Sequence, residues 1–207
     1  MKKFTVTISR QFGSLGRPIA RELSEKLGVE YYDRDIVEMT AEKHGISIKE
    51  ASNLEEKASK WSFMRFPLGF GTTATQDRIF KTEVEIIKEL ADKSNCIIVG
   101  RCADAILGDR ENNINIYISA PYEDRIVNCV NDLGMDVKQA KKMIAEVDKA
   151  RDAYHMRYVK YHPNDPDHMD LMVNSSLFGV NKTADFLAEV IRRKFGEEEE
   201  ETSKKKA

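Results

Sequence analysis

The chain opens with a strand pattern that runs into a glycine-containing turn and then into a helix pattern. Residues 4–9 alternate apolar and hydroxyl side chains, and Gly13 and Gly16 follow directly. Pro18 suits a first helical turn, and Gly28 stands where a helix C-cap is expected. A turn between a strand and a helix points successive amide N–H groups at one spot, where the helix dipole adds positive potential. The opening unit therefore predicts an anion site, with phosphate as its natural occupant.

The turn departs from the standard phosphate-loop motif Gly-x-x-x-x-Gly-Lys-Ser/Thr. Gln11 replaces the first glycine, Arg17 replaces the lysine, Pro18 replaces the hydroxyl residue, and Ile19 comes next. An arginine keeps the positive charge, but its fork differs in shape from an ammonium group. The motif alone leaves two interpretations open: a phosphate site, or a plain turn that uses its glycines for positive φ.

The rest of the chain alternates strand and helix patterns, which favours an α/β fold with a parallel sheet. Asp136 and Gln139 form a capping-box pattern at the start of a long amphipathic helix, and a preceding helix is expected to end near Gly134. The further strands are predicted at residues 31–33, 96–100, 114–119 and 170–174, and the last helix places Ala184, Leu187, Ile191 and Phe195 on one face.

Composition limits the class of protein. Hydrophobic residues make up 41% and charged residues 33% of the 207, which fits one globular domain over residues 1–196. The net charge of −2 does not indicate a basic surface that would bind nucleic acid or an anionic membrane, so neither is expected as a partner. The first strand is too polar for a signal sequence, and three cysteines without a Cys-x-x-Cys pair suit a reducing compartment, so we expect a cytoplasmic protein.

Three segments fall outside the sheet pattern. We expect an insertion at about residues 38–80, a lid at about 148–168 and a disordered charged tail at 197–207. Aromatic residues are concentrated at 61–70, within the insertion. Packing inside the insertion, stacking on a base and a contact between subunits of a homodimer all stay open for these rings.

Five blocks resemble, in the same order, the cytidylate-kinase-like family of nucleoside monophosphate kinase relatives. The blocks are residues 8–17, 31–33, 97–104, 148–154 with Tyr158, and 170–175. The resemblance covers roughly residues 3–195 and rests on the ordered set rather than on any single block. It implies a three-layer α/β/α P-loop kinase-like fold with a five-stranded parallel sheet, a monophosphate-binding insertion and a lid. It also implies ATP and Mg²⁺ as cofactors and a nucleoside monophosphate such as CMP as the acceptor.

The resemblance also implies which residues form the site. Residues of the turn would hold the donor triphosphate, Arg101 would meet the acceptor's phosphate, and Asp33 would orient the acceptor or a magnesium shell. The catalytic candidates are Arg17, Asp33, Arg101, Arg151 and Arg157. The phosphate-binding candidates are Ser9, Arg10, Gly13, Ser14, Leu15, Gly16, Arg17, Asp104 and Asp148, and no residue is assigned as a metal ligand.

The two lid arginines raise a geometric question. Arg151 and Arg157 are six residues apart, so on an unbroken helix they point about 120° apart and lie ~9 Å apart along the axis. Either phosphates lie along the helix between them, or the helix breaks near Tyr154, or both side chains belong to a solvated charged face. The four histidines have no zinc-ligand spacing and are expected at the surface.

Two functions from different classes follow. The first is a kinase that transfers the γ-phosphoryl group of ATP, and the second is a non-catalytic nucleotide-binding module that keeps the site without efficient turnover. A dinucleotide-dependent oxidoreductase fits poorly, because Gly13 and Gly16 lack the full Gly-x-Gly-x-x-Gly pattern. Cys102 replaces an aspartate of the comparable cytidylate kinase block, which bears on recognition of a cytosine base.

Overall fold

The computed structural model describes residues 2–33, 35–43 and 73–196. Five strands form one all-parallel sheet in the order β2-β3-β1-β4-β5, which confirms the predicted α/β class and strand number. The strands are β1 Thr5–Arg10, β2 Glu30–Tyr32, β3 Cys96–Val99, β4 Asn113–Ser119 and β5 Leu171–Asn174. The carboxyl ends of parallel strands meet at one edge of the sheet, so residues that follow β1, β2 and β3 become neighbours there.

Helices cover both faces of the sheet. They are α1 Gly16–Leu27, α2 Asp35–Lys43, α3 Thr73–Lys93, α4 Ala103–Leu107, α5 Tyr122–Leu133, α6 Val137–Tyr158 and α7 Gly179–Phe195. Alternate residues of β3 pack into two separate cores: Ile97 lies with Leu23 of α1 and Leu187 of α7, while Ile98 lies with Ile87 of α3. This period-two alternation produces three layers.

A third core joins α5 and α6 to the turn after β1. Phe12 of the turn is buried against Ile126, Ile144 and Val147. The predicted capping box is present, since Asp136 accepts a hydrogen bond from the Gln139 amide at 2.8 Å and Gln139 returns one to the Asp136 amide. Because α6 then continues to Tyr158, the alternative of a helix break near Tyr154 is excluded.

Parts of the predicted organisation lie outside the described residues. These parts are residues 44–72, which include most of the insertion, the aromatic stretch 61–70 and His44, and the tail 197–207. Among the described helices, none is both long and apolar enough to cross a bilayer.

Candidate functional site

The turn after β1 is a tight backbone loop that only glycine can occupy at its centre. Gly13 has φ 77° and Leu15 has φ 59°, so two residues of the turn lie in the left-handed region. A Cβ atom on Gly13 would lie 2.8 Å from the carbonyl oxygen of Arg125 on α5. The close approach of α5 therefore fixes glycine at this position.

Side chains hold the turn from the protein side. The buried Ser14 hydroxyl donates to the carbonyl of Gln11 at 3.0 Å and lies 3.1 Å from that of Ile118, while the Ser175 hydroxyl donates to the Ser14 carbonyl at 2.7 Å. No hydrogen bond among the described residues uses the amides of Gly13 or Leu15. The serine thus supports the loop, and amide groups are left to bind a ligand.

Four arginines converge on the cleft beside this turn. Arg10 ends β1, Arg17 lies in the first turn of α1, Arg101 follows β3, and Arg151 comes from α6. All four line a cleft of about 740 Å³, a volume that includes open solvent at its mouth. The sheet edge and α6 together bring these candidates into one place, although they are far apart in the chain.

Asp33 follows β2 and binds two of the arginines. Its carboxylate forms an ion pair with the Arg17 Nε and lies 3.7 Å from Arg10 Nη2. Burial raises the pKa of Asp33, but the charges of Arg10 and Arg17 outweigh it and leave the pKa below its ordinary value. Asp33 is therefore ionised at neutral pH and positions two guanidinium groups.

Arg101 is held by a buried acid from α3. Its Nη1 lies 3.3 Å from Glu83, whose other oxygen accepts a hydrogen bond from the Tyr154 hydroxyl at 2.6 Å. Arg101 and Cys102 both have positive φ, at 59° and 55°. Sequence reasoning missed Glu83 and Tyr154, because a glutamate on an amphipathic helix gives no signal that it is buried.

The two candidate arginines of α6 have different environments. Arg151 donates to the carbonyl of Arg10 at 3.0 Å, and no carboxylate among the described residues forms an ion pair with it. Burial and the nearby charge of Arg10 lower the pKa of Arg151. Arg157 instead points to α3, where it donates to Asp77 at 2.8 Å and is partly exposed. The structure brings Arg151 to the cleft and leaves Arg157 outside it.

Asp148 contacts the turn itself. One carboxylate oxygen accepts the amide of Phe12 at 2.7 Å, and the other accepts a hydrogen bond from Arg125 at 2.5 Å. This acid therefore fixes the start of the turn to α6 and occupies an amide that an anion would otherwise reach.

Asp104 is buried behind the cleft and contacts two residues that line it, Ser9 and His155. It lies 2.8 Å from His155 Nε2, accepts the Tyr161 hydroxyl at 3.0 Å and lies 3.4 Å from the Ser9 hydroxyl. His155 Nδ1 lies 2.8 Å from the Tyr161 carbonyl, so both ring nitrogens face acceptors. The expectation that all histidines lie at the surface is wrong for His155, because this network offers two acceptors to a buried imidazole.

The expected Mg²⁺ does not fit the protein groups of this cleft. The carboxylates around it are already paired: Asp33 with Arg10 and Arg17, Glu83 with Arg101, Asp148 with Arg125, and Asp104 with His155. The position that supplies a hydroxyl ligand in the standard motif is occupied by Pro18, and the next residue is Ile19, so neither side chain offers a hydroxyl group to a metal. Over the described residues, no three His, Cys, Asp or Glu side chains cluster as metal ligands.

A second cavity shares three of these arginines, Arg10, Arg17 and Arg151. Its volume is about 550 Å³, including open solvent at its mouth. Its remaining walls come from the turn and from α5, including Leu15, Pro18 and Leu133. Two cavities thus share one arginine wall.

Comparison with known proteins gives the family. No curated protein matches the chain. An uncharacterised protein from Eubacterium ventriosum has 24% identity and a TM-score of 0.69, with 91% of this chain and 98% of that chain covered. A shikimate kinase from Acinetobacter baumannii in complex with shikimate has 14% identity and a TM-score of 0.53 over 93% and 95% of the two chains. A shikimate kinase from Bacteroides thetaiotaomicron has 10% identity and a TM-score of 0.53 over 91% and 98%.

At these identities the likeness shows the P-loop kinase fold alone. The model of the cytidylate kinase-like family matches residues 5–177, so this protein belongs to that family, whose kinase-like character supports phosphoryl transfer in general.

Proposed function

We propose that this protein transfers a phosphoryl group from ATP to a small acceptor, with a nucleoside monophosphate as the acceptor class and CMP as the first candidate. The observation behind this proposal is the convergence of four guanidinium groups on a turn with available amides. Phosphoryl transfer needs positioning and cations against the phosphate oxygens more than covalent chemistry. Arginines between two cavities are suited to both tasks.

Each cavity suits one ligand. The cavity beside Gly13, Leu15 and Pro18 lies at the amide-rich turn and suits the donor's phosphates. The cleft with Asp33 and Arg101 lies outside the carboxyl ends of β2 and β3 and suits the acceptor. The shared arginines then face the phosphoryl group from both sides.

The choice of CMP follows from the family and not from a base-reading contact. Cys102 takes the place of an aspartate in the comparable cytidylate kinase block and is buried with an exposed fraction of 3%. Burial raises the pKa of its thiol beyond the physiological range, so this side chain offers neither a carboxylate nor a thiolate to a base. We therefore expect broader acceptor use than an enzyme with an acid at this position.

A second candidate is a nucleotide-binding module without efficient turnover. The ion pair between Arg17 and Asp33 favours it, because this pair engages the residue that replaces the usual phosphate-loop lysine. Pro18 and Ile19 also remove the hydroxyl that normally helps to place the metal.

A coupled assay of ADP release separates the two functions. The acceptor panel contains CMP, dCMP, UMP, AMP and, as small hydroxylated acceptors, shikimate and gluconate. Turnover above roughly 1 s⁻¹ with one acceptor supports the kinase and eliminates the binding module. Tight ATP binding without turnover on any acceptor supports the module and contradicts the kinase.

Arg17→Ala tests the phosphate contact in both cases. Arg17 is one-third exposed at the cleft, so its loss is expected to weaken ATP binding by about ten-fold, the effect of one charge-assisted hydrogen bond, with little change in fold. Calorimetric titration with ATP and the circular dichroism spectrum measure the two effects. Unfolding with unchanged ATP affinity would mean that Arg17 is a structural partner of Asp33 only.

A further inference from the structure

The cleft has more fixed positive charge than its carboxylates compensate. Among the described residues, four guanidinium groups line it, and the acids that pair with them are Asp33 and Glu83. Three of these arginines also line the neighbouring cavity, where Asp132 is the carboxylate. Asp148 is nearby, but it pairs with Arg125 and with the amide of Phe12. Arg151 has no ion pair among the described residues, so its charge is the least compensated.

The arrangement of Arg10 adds to this excess. Its Nε is buried without a hydrogen-bond partner, and its Nη1 would lie 2.4 Å from a Cβ atom on Gly100. Burial is the main cause that lowers the pKa of Arg10 to about 10. The charges of Arg17 and Arg101 lower this pKa further, and the charge of Asp33 raises it. Arg10 is still charged at neutral pH, and it lies where only a glycine leaves room for it.

Guanidinium groups can perform the electrostatic task of a divalent cation. Each one can donate two parallel hydrogen bonds to two phosphate oxygens and keeps its charge at any physiological pH. A magnesium ion placed among them would be repelled at short range. Among the described residues, the carboxylates that contact these arginines are already paired, and the one acid that lines the neighbouring cavity is Asp132.

We propose that this site binds the metal-free polyphosphate of a nucleotide in preference to its magnesium complex, with Arg10, Arg17 and Arg151 neutralising the phosphates. The inference rests on the proposed nucleotide site and specifies the form of the ligand. Metal-free ATP carries two more negative charges than the magnesium complex, so the excess positive charge of the arginines shared by the cleft and the donor cavity selects it.

The test is calorimetric titration of the full chain with ATP in excess EDTA and in excess magnesium chloride, at matched ionic strength. We expect binding in EDTA to be tighter by about ten-fold, because one additional short-range charge contact between arginine and phosphate has about this effect. Equal affinity in the two buffers, or tighter binding with magnesium, overturns the inference and leaves the proposed function standing. Absence of ATP binding in both buffers overturns the proposed function itself.

Two matched variants separate the effect of the cleft's own charge from the effect of the protein's net charge. Arg151→Gln removes the least compensated charge and is expected to reduce the preference for metal-free ATP to about three-fold or less. Arg193→Gln changes an exposed arginine of α7 that pairs with Glu189 at 2.8 Å, and it is expected to keep the preference of the wild type. Loss of the preference in Arg193→Gln as well would show that net charge rather than this cleft selects the ligand. Full retention of the preference in Arg151→Gln would show that Arg151 does not select the ligand and would overturn the inference.

Discussion

Gly13 is a position where one added carbon atom, a Cβ, would collide with neighbouring atoms. It has φ 77°, and the carbonyl oxygen of Arg125 and the Sγ of Cys129 lie 2.8 Å and 3.0 Å from the position of a Cβ. Gly134 shares the positive φ, at 64°, but its Cβ would meet nothing within 4 Å. Alanine substitutions at Gly13 and at Gly134 therefore separate the free-energy cost of a left-handed backbone from the cost of a steric contact with α5.

We predict that Gly13→Ala destabilises the protein more than Gly134→Ala does. The left-handed backbone costs about 1–2 kcal/mol in either variant. Gly13→Ala adds the contact with α5, which is expected to cost about 1–3 kcal/mol more, in the range of overpacking. Urea denaturation measures both free energies of unfolding. Equal losses would mean that α5 does not approach the turn as closely as 2.8 Å.

At the residue scale, the sequence predicted the location of the site better than its contacts. The resemblance named Arg10, Arg17, Arg101 and Arg151, and these side chains do share one cleft. The burial of His155 was missed, because its acceptor Asp104 is 51 residues away in the chain. A pairwise contact at that separation leaves no pattern in a single sequence.

Helix α6 is the element that links α4 to the turn after β1. It reaches the turn through Asp148 and Arg151, and it reaches α4 through the pair of His155 and Asp104. Burial pushes the pKa of His155 down, but the hydrogen bond and charge of Asp104 outweigh it, so the pKa is raised above 6.5. The other groups that face the ring are Tyr161 and, at longer range, Asp152.

The raised pKa makes the stability of this connection depend on pH. A group with a raised folded-state pKa stabilises the fold fully below its unfolded pKa, near 6.5, and loses that contribution as the pH rises through the folded value. We predict that His155→Gln lowers the free energy of unfolding by about 3 kcal/mol near pH 6, as expected for one broken partner of a buried ion pair. The difference from the wild type is expected to shrink toward pH 9.

Thermal denaturation of both proteins across this pH range measures the difference. His162→Gln is the control, because this exposed ring lies 3.4 Å from Asp152 without burial, and a change below about 0.5 kcal/mol is expected. A difference between wild type and His155→Gln that stays constant with pH would mean that folding does not raise the pKa of His155.

At the element scale, local chemistry determined most of what the sequence could predict. The glycine C-caps at Gly28 and Gly134 and the capping box at Asp136 all lie where predicted. The predicted strands agree within about one residue at each end, for example 96–100 against Cys96–Val99. The choice between a broken and an unbroken α6 was not available from sequence, because tertiary contacts to α3 and α4 decide it.

At the scale of the whole molecule, the fold creates the site by closing long loops of chain. The amide of Phe12 meets Asp148 across 136 residues, and the carbonyl of Arg10 meets Arg151 across 141. The sheet order places β1 between β3 and β4, so the turn after β1 lies at the centre of the carboxyl edge. The alternation of strand and helix patterns predicted an α/β class with a parallel sheet, and the family resemblance added the five-stranded kinase-like fold. The order of the strands was not predicted.

The central claim is that the turn after β1 holds nucleotide phosphates through its backbone amides. Two-dimensional ¹H–¹⁵N NMR of the labelled protein during titration with ATP tests it most directly. We predict that the amides of Gly13, Leu15 and Gly16 show the largest downfield proton shifts, as expected when an amide begins to donate to a phosphate oxygen. Unchanged shifts at these three amides, while resonances elsewhere respond to ATP, would contradict the claim.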